Sequence, residues 1–388
     1  MYKSAKVISV LAVVIVFICI AVSNNWIGSN NAQEKIFVEK EEIISLDIKE
    51  NAYVGVNNNQ VYKVTRDGIK VYNLDKQEIW SDTFTLGEVV VKQKEPYIAI
   101  GSKNGKSIHL FNEKGKQAEV NTQSQIVFFS INQNGNLVVI EEEENKHHVT
   151  AYSKTGEFLC TRTSFIETDG YPVAAEVSPE GDILLISYIN VSEPEVTSTI
   201  ICMDTKNNEN KELDNVTYGI TEKDNLVYSI LFLSNDIWVS VGDKYINWYN
   251  KAGDHKVKKE GLYSIYAPSV PSVGVFGDGY LPLIVSGKPI QSTVHQDERL
   301  VVLDDEGNEI FSHDIEETSG NLSVNKQTIV YQTGGQYEGY NRLGNKLFTY
   351  SPTIDVDKVI YLPDSKQGVA ISKEKVMILS TESKGEKK

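Results

Sequence analysis

The chain has 388 residues, 40% hydrophobic and 23% charged, which excludes a disordered, collagen-like or disulfide-scaffold class. It carries 53 Asp and Glu against 38 Lys and Arg, a formal net charge of −15, and it has no basic block. That balance argues against nucleic acid or anionic lipid as the main partner. Length alone is compatible with two or three domains, unless one large repeat fold uses most of it.

Residues 7–22 are apolar but for one Ser, and the uncharged stretch extends to Ile27, with Lys3 and Lys6 before it and Trp26 near its end. At 1.5 Å per residue, residues 7–27 make a helix of about 30 Å, the thickness of a bilayer core. The two lysines place residues 1–6 in the cytoplasm and everything beyond the helix across the membrane. Ala21-Val22-Ser23 offers a signal-peptidase site as the alternative, in which case the chain is secreted after cleavage near Ser23. Both alternatives put the bulk of the chain outside the cytoplasm. Cys19 lacks a preceding lipobox. Residues 28–35 form a polar linker, 36–381 the folded domain and 382–388 a disordered tail.

Beyond residue 27 no segment keeps a 3.6-residue apolar period. Short runs of Val, Ile, Tyr and Phe are cut by Gly, Asn and Asp, the pattern of many strands joined by tight turns. The first strand is Ile36 to Ile48. One unit then recurs: a strand ending in an aromatic or large aliphatic, then Asn, Asp or Ser, a short turn and a second strand. It occurs at Tyr72-Asn73, Phe111-Asn112, Tyr152-Ser153, Met203-Asp204, Tyr249-Asn250, Leu303-Asp304, Tyr340-Asn341 and, degenerate, Leu379-Ser380, at spacings of 39, 41, 51, 46, 54, 37 and 39. Five of the eight carry Gly at the fifth position: Gly115, Gly156, Gly253, Gly307 and Gly344. The polar residue opens the turn by bonding the backbone, and Gly takes the positive-φ position.

Two more strand-like runs precede each hairpin. In the third unit they are joined by Gln133-Asn134-Gly135, in the fourth by Ser178-Pro179-Glu180-Gly181. Four strands per unit of this length predict an all-β propeller. Three strands near the C-terminus plus the first strand complete an eighth blade from both ends. Eight blades is the expectation, seven the alternative.

Gly68-Ile69-Lys70-Val71-Tyr72-Asn73-Leu74-Asp75 with Trp80, and Leu300 to Phe311, resemble the repeat of quinoprotein-type propellers, and the whole pattern is WD40-like. The layout also resembles uncharacterised single-pass membrane propellers of low-GC Gram-positive bacteria, a domain-of-unknown-function family. The resemblance implies a fold and a location and no activity. Quinoprotein dehydrogenases use vicinal cysteines, a calcium held by Glu and Asn, and a catalytic Asp. Here Cys160 and Cys202 are far apart, and only the first unit keeps the docking tryptophan.

No Gly-x-Ser-x-Gly or His-Glu-x-x-His motif is present, so neither a catalytic residue nor a cofactor nor a metal is expected. Glu141 to Glu144 with His147 and His148 form the densest charged segment. Adjacent strand histidines point to opposite faces, so a solvated loop is expected rather than a metal site. Cys160 and Cys202 are expected as separate core residues; a disulfide is the alternative in an oxidising compartment.

In a blade, second-to-third loops and blade-to-blade connections open on one face, here called the loop face; the remaining turns open on the other, the hairpin face. The hairpins read as uniformly short. Long connections at 164–172, 189–198, 261–273, 287–298 and 332–339 are expected on the loop face. They carry Tyr171, Tyr188, Glu193, Glu195, Tyr263, Tyr266, Gln291, His295 and Tyr337, the candidate binding residues, since tyrosine beside acidic and amide groups suits protein or glycan contact. The expected function is a membrane-anchored, extracytoplasmic, non-catalytic binding or scaffold module for a protein or cell-envelope ligand. The alternative is an enzyme acting on envelope polysaccharide, which needs paired carboxylates near the central channel.

Overall fold

A computed structural model describes residues 35–191, 195–206, 215–264, 279–286, 298–316, 322–325 and 328–383. Among the described residues, thirty-two strands form seven sheets, six of four strands and one of eight. The four-stranded sheets span residues 53–83, 89–121, 125–165, 171–223, 227–260 and 263–315, and we number them as modules 1 to 6. The eight-stranded sheet divides into two four-stranded halves. Module 7 covers 322–350; module 8 joins 358–383 to the first strand, Lys35–Ser45.

Sequence composition explains the layering. The second strand of module 4 is an apolar run broken by Ser187, and Leu184 to Tyr188 are each at most 1% exposed. Such a run suits a strand covered on both faces. Its alternate residues serve two different cores. Leu184, Ile186 and Tyr188 pack with Val138, Ile140 and Val149 of module 3, whereas Leu185 packs with Ile230 and Trp238 of module 5. Fourth strands such as His255–Glu260 are charged and largely exposed, as befits an outer edge. Eight apolar clusters result among the described residues. Seven lie between successive modules, and the eighth sets Ile43, Val369 and Val376 of module 8 against Val54 and Val61 of module 1.

The repeated hairpins close as their sequence predicts. Asn73 Oδ1 accepts from the Gln77 amide at 2.9 Å, and Asp304 Oδ1 from those of Glu306 and Asn308 at 2.9 and 2.7 Å. Asn341 Oδ1 accepts from the amides of Leu343 and Asn345, both at 2.9 Å. The fifth position takes positive φ even without glycine: Lys76 sits at +68°, close to Gly156 at +80° and Gly307 at +76°. A non-glycine residue there costs roughly 1–2 kcal/mol. Lys76→Gly is therefore expected to raise stability by about 0.5–1 kcal/mol, even with loss of the exposed Lys76–Glu41 ion pair at 3.1 Å. A lower denaturant midpoint for the variant would show that the turn is not strained.

Three of these hairpins also receive a side chain of the preceding module. Trp80 Nε1 donates to the Glu113 carbonyl at 3.1 Å, Tyr218 Oη to that of Lys251 at 3.0 Å, and Trp248 Nε1 to that of Asp304 at 3.2 Å. A Cβ on Gly253 would come within 2.6 Å of the Tyr218 ring, and one on Gly344 within 2.8 Å of Phe311. Glycine thus serves the turn twice, by its dihedral freedom and by the room it leaves for the neighbour's aromatic ring.

The first strand closes the structure. It pairs antiparallel with the last strand from Lys35↔Ser383 to Ser45↔Lys375, and in parallel with module 7 through Lys35↔Phe348 and Ile36↔Thr349. It stops at Ser45, short of the expected Ile48, because Asp47 caps a 3-10 turn, Ile48–Glu50, accepting from the Lys49 amide at 2.9 Å. The last strand runs to Ser383, beyond the expected start of the tail at 382. Cys160 and Cys202 are buried free thiols in different modules, and burial pushes the Cys160 thiol up to about 12.

Three loop expectations need correction. Residues 332–339 are not a long connection: Gly334 and Gly335, with φ of +53° and +78°, make a tight turn between Thr328–Thr333 and Gln336–Asn341. The hairpins are not uniformly short, since 205–215 separate Thr197–Asp204 from Val216–Lys223. Tyr263–Ser264 is the first strand of module 6 and Leu281–Ser286 its second, so the expected connection 261–273 contains a strand and does not simply link two modules; residues 265–278 lie outside the described residues. No described helix is long and apolar enough to cross a membrane, and the expected span at 7–27 lies outside the described residues.

Candidate functional site

Among the described residues, the loop face is elaborated at the connection from module 3 to module 4. The fourth strand of module 3, Phe158–Phe165, runs into a one-turn helix, Ile166–Asp169, then Gly170 and the start of Tyr171–Val177. Asp169 fixes this path. One carboxylate oxygen accepts from the Phe165 amide at 2.9 Å and the other from the Arg162 guanidinium at 3.0 Å. The Ile166 amide reaches the Asn145 carbonyl of the adjacent turn at 3.3 Å. Gly170 has φ of +86°, and a Cβ there would overlap the Ile189 carbonyl oxygen. The connection is thereby pressed onto the end of the second strand of module 4.

This pinning turns apolar side chains outward. Phe165 is 52% exposed, Tyr171 45% and, on the adjoining second-to-third loop, Val191 63%. All three come from elements that meet at Gly170. Carboxylates lie on the same elements and on the adjacent turn. The second-to-third turn of module 3 presents Glu142, Glu143 and Glu144; the helix presents Glu167 and Asp169; the loop of module 4 presents exposed Glu195. Lys146 is held by Glu143 at 3.2 Å and Arg162 by Asp169 at 3.0 Å. Among the described residues no lysine or arginine forms an ion pair with Glu142, Glu144, Glu167 or Glu195.

The two histidines diverge as expected from strand geometry. His148 Nδ1 lies 2.9 Å from Thr163 Oγ1 and Nε2 3.3 Å from Glu143, at the surface. His147 is buried beneath Tyr171, ring centroids 6.1 Å apart and edge-on, with Nδ1 lacking a hydrogen-bond partner among the described residues. Burial lowers its pKa, and Glu142 at 3.9 Å only partly opposes that. Glu141 separates from the acidic run: its buried carboxylate accepts from the Gln123 and Ser124 amides at 3.0 Å each and pins the connection from module 2. Among the described residues no group of three His, Cys, Asp or Glu is placed to hold a metal ion.

The other candidate residues scatter. Tyr188 and Tyr337, expected on loops, are each 1% exposed. Tyr188 lies in the core between modules 3 and 4 with the Arg162 guanidinium 6.0 Å from its ring centre, and Tyr337 donates to the Val356 carbonyl at 2.6 Å. Both sit within middle strands that neighbouring sheets cover on either side. Tyr263 pairs through its backbone with Ser286. Glu193, Tyr266, Gln291 and His295 lie outside the described residues. Phe165 and Val191 were not anticipated; the signal for them is an apolar residue at a strand end bordering an acidic connection.

Buried carboxylates elsewhere are occupied. Glu222 accepts from Asn225 at 2.7 Å, Ser240 at 2.5 Å and Tyr249 at 2.9 Å. Glu338 accepts from Tyr340 at 2.7 Å, Tyr331 at 3.2 Å and Lys346. Glu176, on the inner strand of module 4, faces Lys94 of module 2 at 3.9 Å. Burial raises its pKa, opposed by Lys94, Ser130 and Lys92.

Two solved structures share this architecture. BamB from Moraxella catarrhalis is 12% identical, aligns over 89% of this chain and 100% of its own, and gives a TM-score of 0.52. Sqt1 from Saccharomyces cerevisiae is 9% identical, aligns over 90% and 99%, and gives 0.53. These likenesses support a β-propeller fold. No curated protein sequence matches the chain. From residue 33 to residue 380, the first strand through to the last, the sequence matches one family pattern, and the chain belongs to that family of unknown function, DUF5711.

Proposed function

We propose that the eight modules are the eight blades of one propeller, that residues 7–27 hold it at a cell membrane with residues 1–6 in the cytoplasm, and that its loop face docks a partner protein without catalysis. The blade count is supported by the eight inter-module clusters, the last of which returns to module 1. The lysines before the apolar run favour the orientation. A tether of this kind raises local concentration, so modest affinity suffices.

The docking role rests on one observation: Phe165 and Tyr171 are exposed at the two ends of a connection pinned by the hydrogen bonds of Asp169, with exposed Val191 on the adjoining loop. Large apolar side chains presented by an ordered loop on a stiff scaffold are the usual anchors of protein contact. The polysaccharide-cleaving alternative finds no comparable support. It calls for two carboxylates about 5–10 Å apart, and Glu176 is approached instead by Lys92 and Lys94.

The test places a photo-crosslinking amino acid at position 171 or at position 158 of the full chain in its native cells. Phe158 is 48% exposed but begins its strand at the hairpin face. A discrete protein adduct is expected from 171, lost when Phe165→Ser and Val191→Ser are added, and absent from 158. Adducts of equal yield from both positions, or none from 171, would overturn the docking role. Protease added outside intact protoplasts should digest the blades; protection would overturn the topology.

A further inference from the structure

We propose that the partner meets this face with a cationic segment, lysine or arginine residues flanking an aliphatic or aromatic side chain. The inference rests on the docking role and adds the chemistry of what docks. Phe165, Tyr171 and Val191 are exposed on elements that meet at Gly170, and exposed carboxylates lie on the same elements and on the adjacent turn of module 3: Glu142 and Glu144 on that turn, Glu167 on the one-turn helix and Glu195 on the loop of module 4. The local cations do not balance them, because Lys146 and Arg162 are already engaged by Glu143 and Asp169. Glu142, Glu144 and Glu167 are left facing solvent with no lysine or arginine ion pair among the described residues, whereas Glu195 feels the charge of Lys244, which Asp224 also holds.

An exposed carboxylate gains little from a lone counter-ion. Several of one sign beside exposed apolar side chains do two other things. They steer an oppositely charged segment to the surface, and they reject ligands of their own sign. Phosphate-rich envelope polymers and anionic bilayers fall in the rejected class, and the net charge of −15 adds to that rejection. The apolar side chains then select among cations. A simple polyamine has nothing to place against Phe165 and Tyr171, whereas a peptide segment carrying Leu, Phe or Trp between its lysines covers both.

The experiment uses the full chain in nanodiscs of zwitterionic lipid. The probes are two labelled synthetic peptides, one alternating lysine with leucine and one alternating glutamate with leucine. The lysine peptide is expected to bind, and the glutamate peptide is not. Neutralising the rim with E142Q, E144Q, E167Q and E195Q should weaken the lysine peptide about tenfold, as should raising salt from roughly 50 to 200 mM. Asp305→Asn with Glu306→Gln, on an exposed hairpin of module 6, serves as the control for bulk charge and should change affinity less than about twofold.

Equal loss from the rim and control variants, or unchanged affinity in the rim variant, would overturn the inference. Binding of the glutamate peptide or of phosphatidylglycerol vesicles would overturn it as well. The in-cell adduct at position 171 separates the two levels. If it forms and survives rim neutralisation, the docking role stands and the cationic partner falls; if it never forms, the docking role itself falls.

Discussion

Phe37→Ala should lower the stability of the folded domain by about 3–5 kcal/mol, as large-to-small changes of a buried aromatic do. Phe37 is 2% exposed in the closing strand, its ring 4.3 Å from that of Phe348 in module 7 and 6.0 Å from that of Tyr361 in module 8. It also fills the space over Gly368, where an added Cβ would stand 3.1 Å from its ring. One side chain thus wedges the two halves of the eight-stranded sheet together. Lys40, three residues on and exposed, should change stability by less than about 0.5 kcal/mol when replaced by alanine. Urea unfolding of both variants decides the matter: equal midpoints would mean that the closing strand is an ornament on a ring already held by its other contacts.

Trp248→Ala should cost about as much, roughly 3–5 kcal/mol. Its side chain is fully buried between modules 5 and 6, packs among Val239, Leu281 and Val301, and bonds the Asp304 carbonyl across the interface. Trp248→Phe keeps most of the packing and removes that bond, so about 1 kcal/mol is expected. Trp80 makes the same kind of bond, to Glu113, from a half-buried fourth strand. Trp80→Ala should therefore lose less, about 1–2 kcal/mol, since less apolar surface returns to water. If Trp80→Ala proves the costlier change, the interface is held by its rim and not by its middle strands.

The contrast between these tryptophans shows where sequence reasoning reaches and where it stops. The hairpin unit was legible because it is local: an acceptor side chain, a short turn and a fifth-position glycine with positive φ, all within five positions, whereas the positive φ of Lys76 had no such sign. The closing strand was legible by counting, since three trailing strands leave one edge for Ile36 and its neighbours to fill. Trp248 was not legible as a docking residue because it stands on a third strand, while the repeat pattern marks the fourth. Tyr188 and Tyr337 were misplaced for a related reason. Alternation tells which residues share a face, but in middle strands both faces are covered, so a polar tip gives no sign of exposure. In the acidic run the sequence looked uniform. Only the path of the neighbouring connection turns Glu141 inward onto two amides and leaves Glu142 to Glu144 outside.

The pairing of Ile36 with Glu382 carries a consequence for biosynthesis. A nascent chain presents its closing strand first and the partner for that strand last. Through nearly the whole of translation the ring must wait, with an unpaired edge and an uncovered face where module 8 will sit. Contacts so far apart along the polypeptide form slowly, and edges left open meanwhile attract other chains. Factors that shield such an edge until the late strands emerge would act on this protein at the ribosome, well before any partner reaches the finished surface.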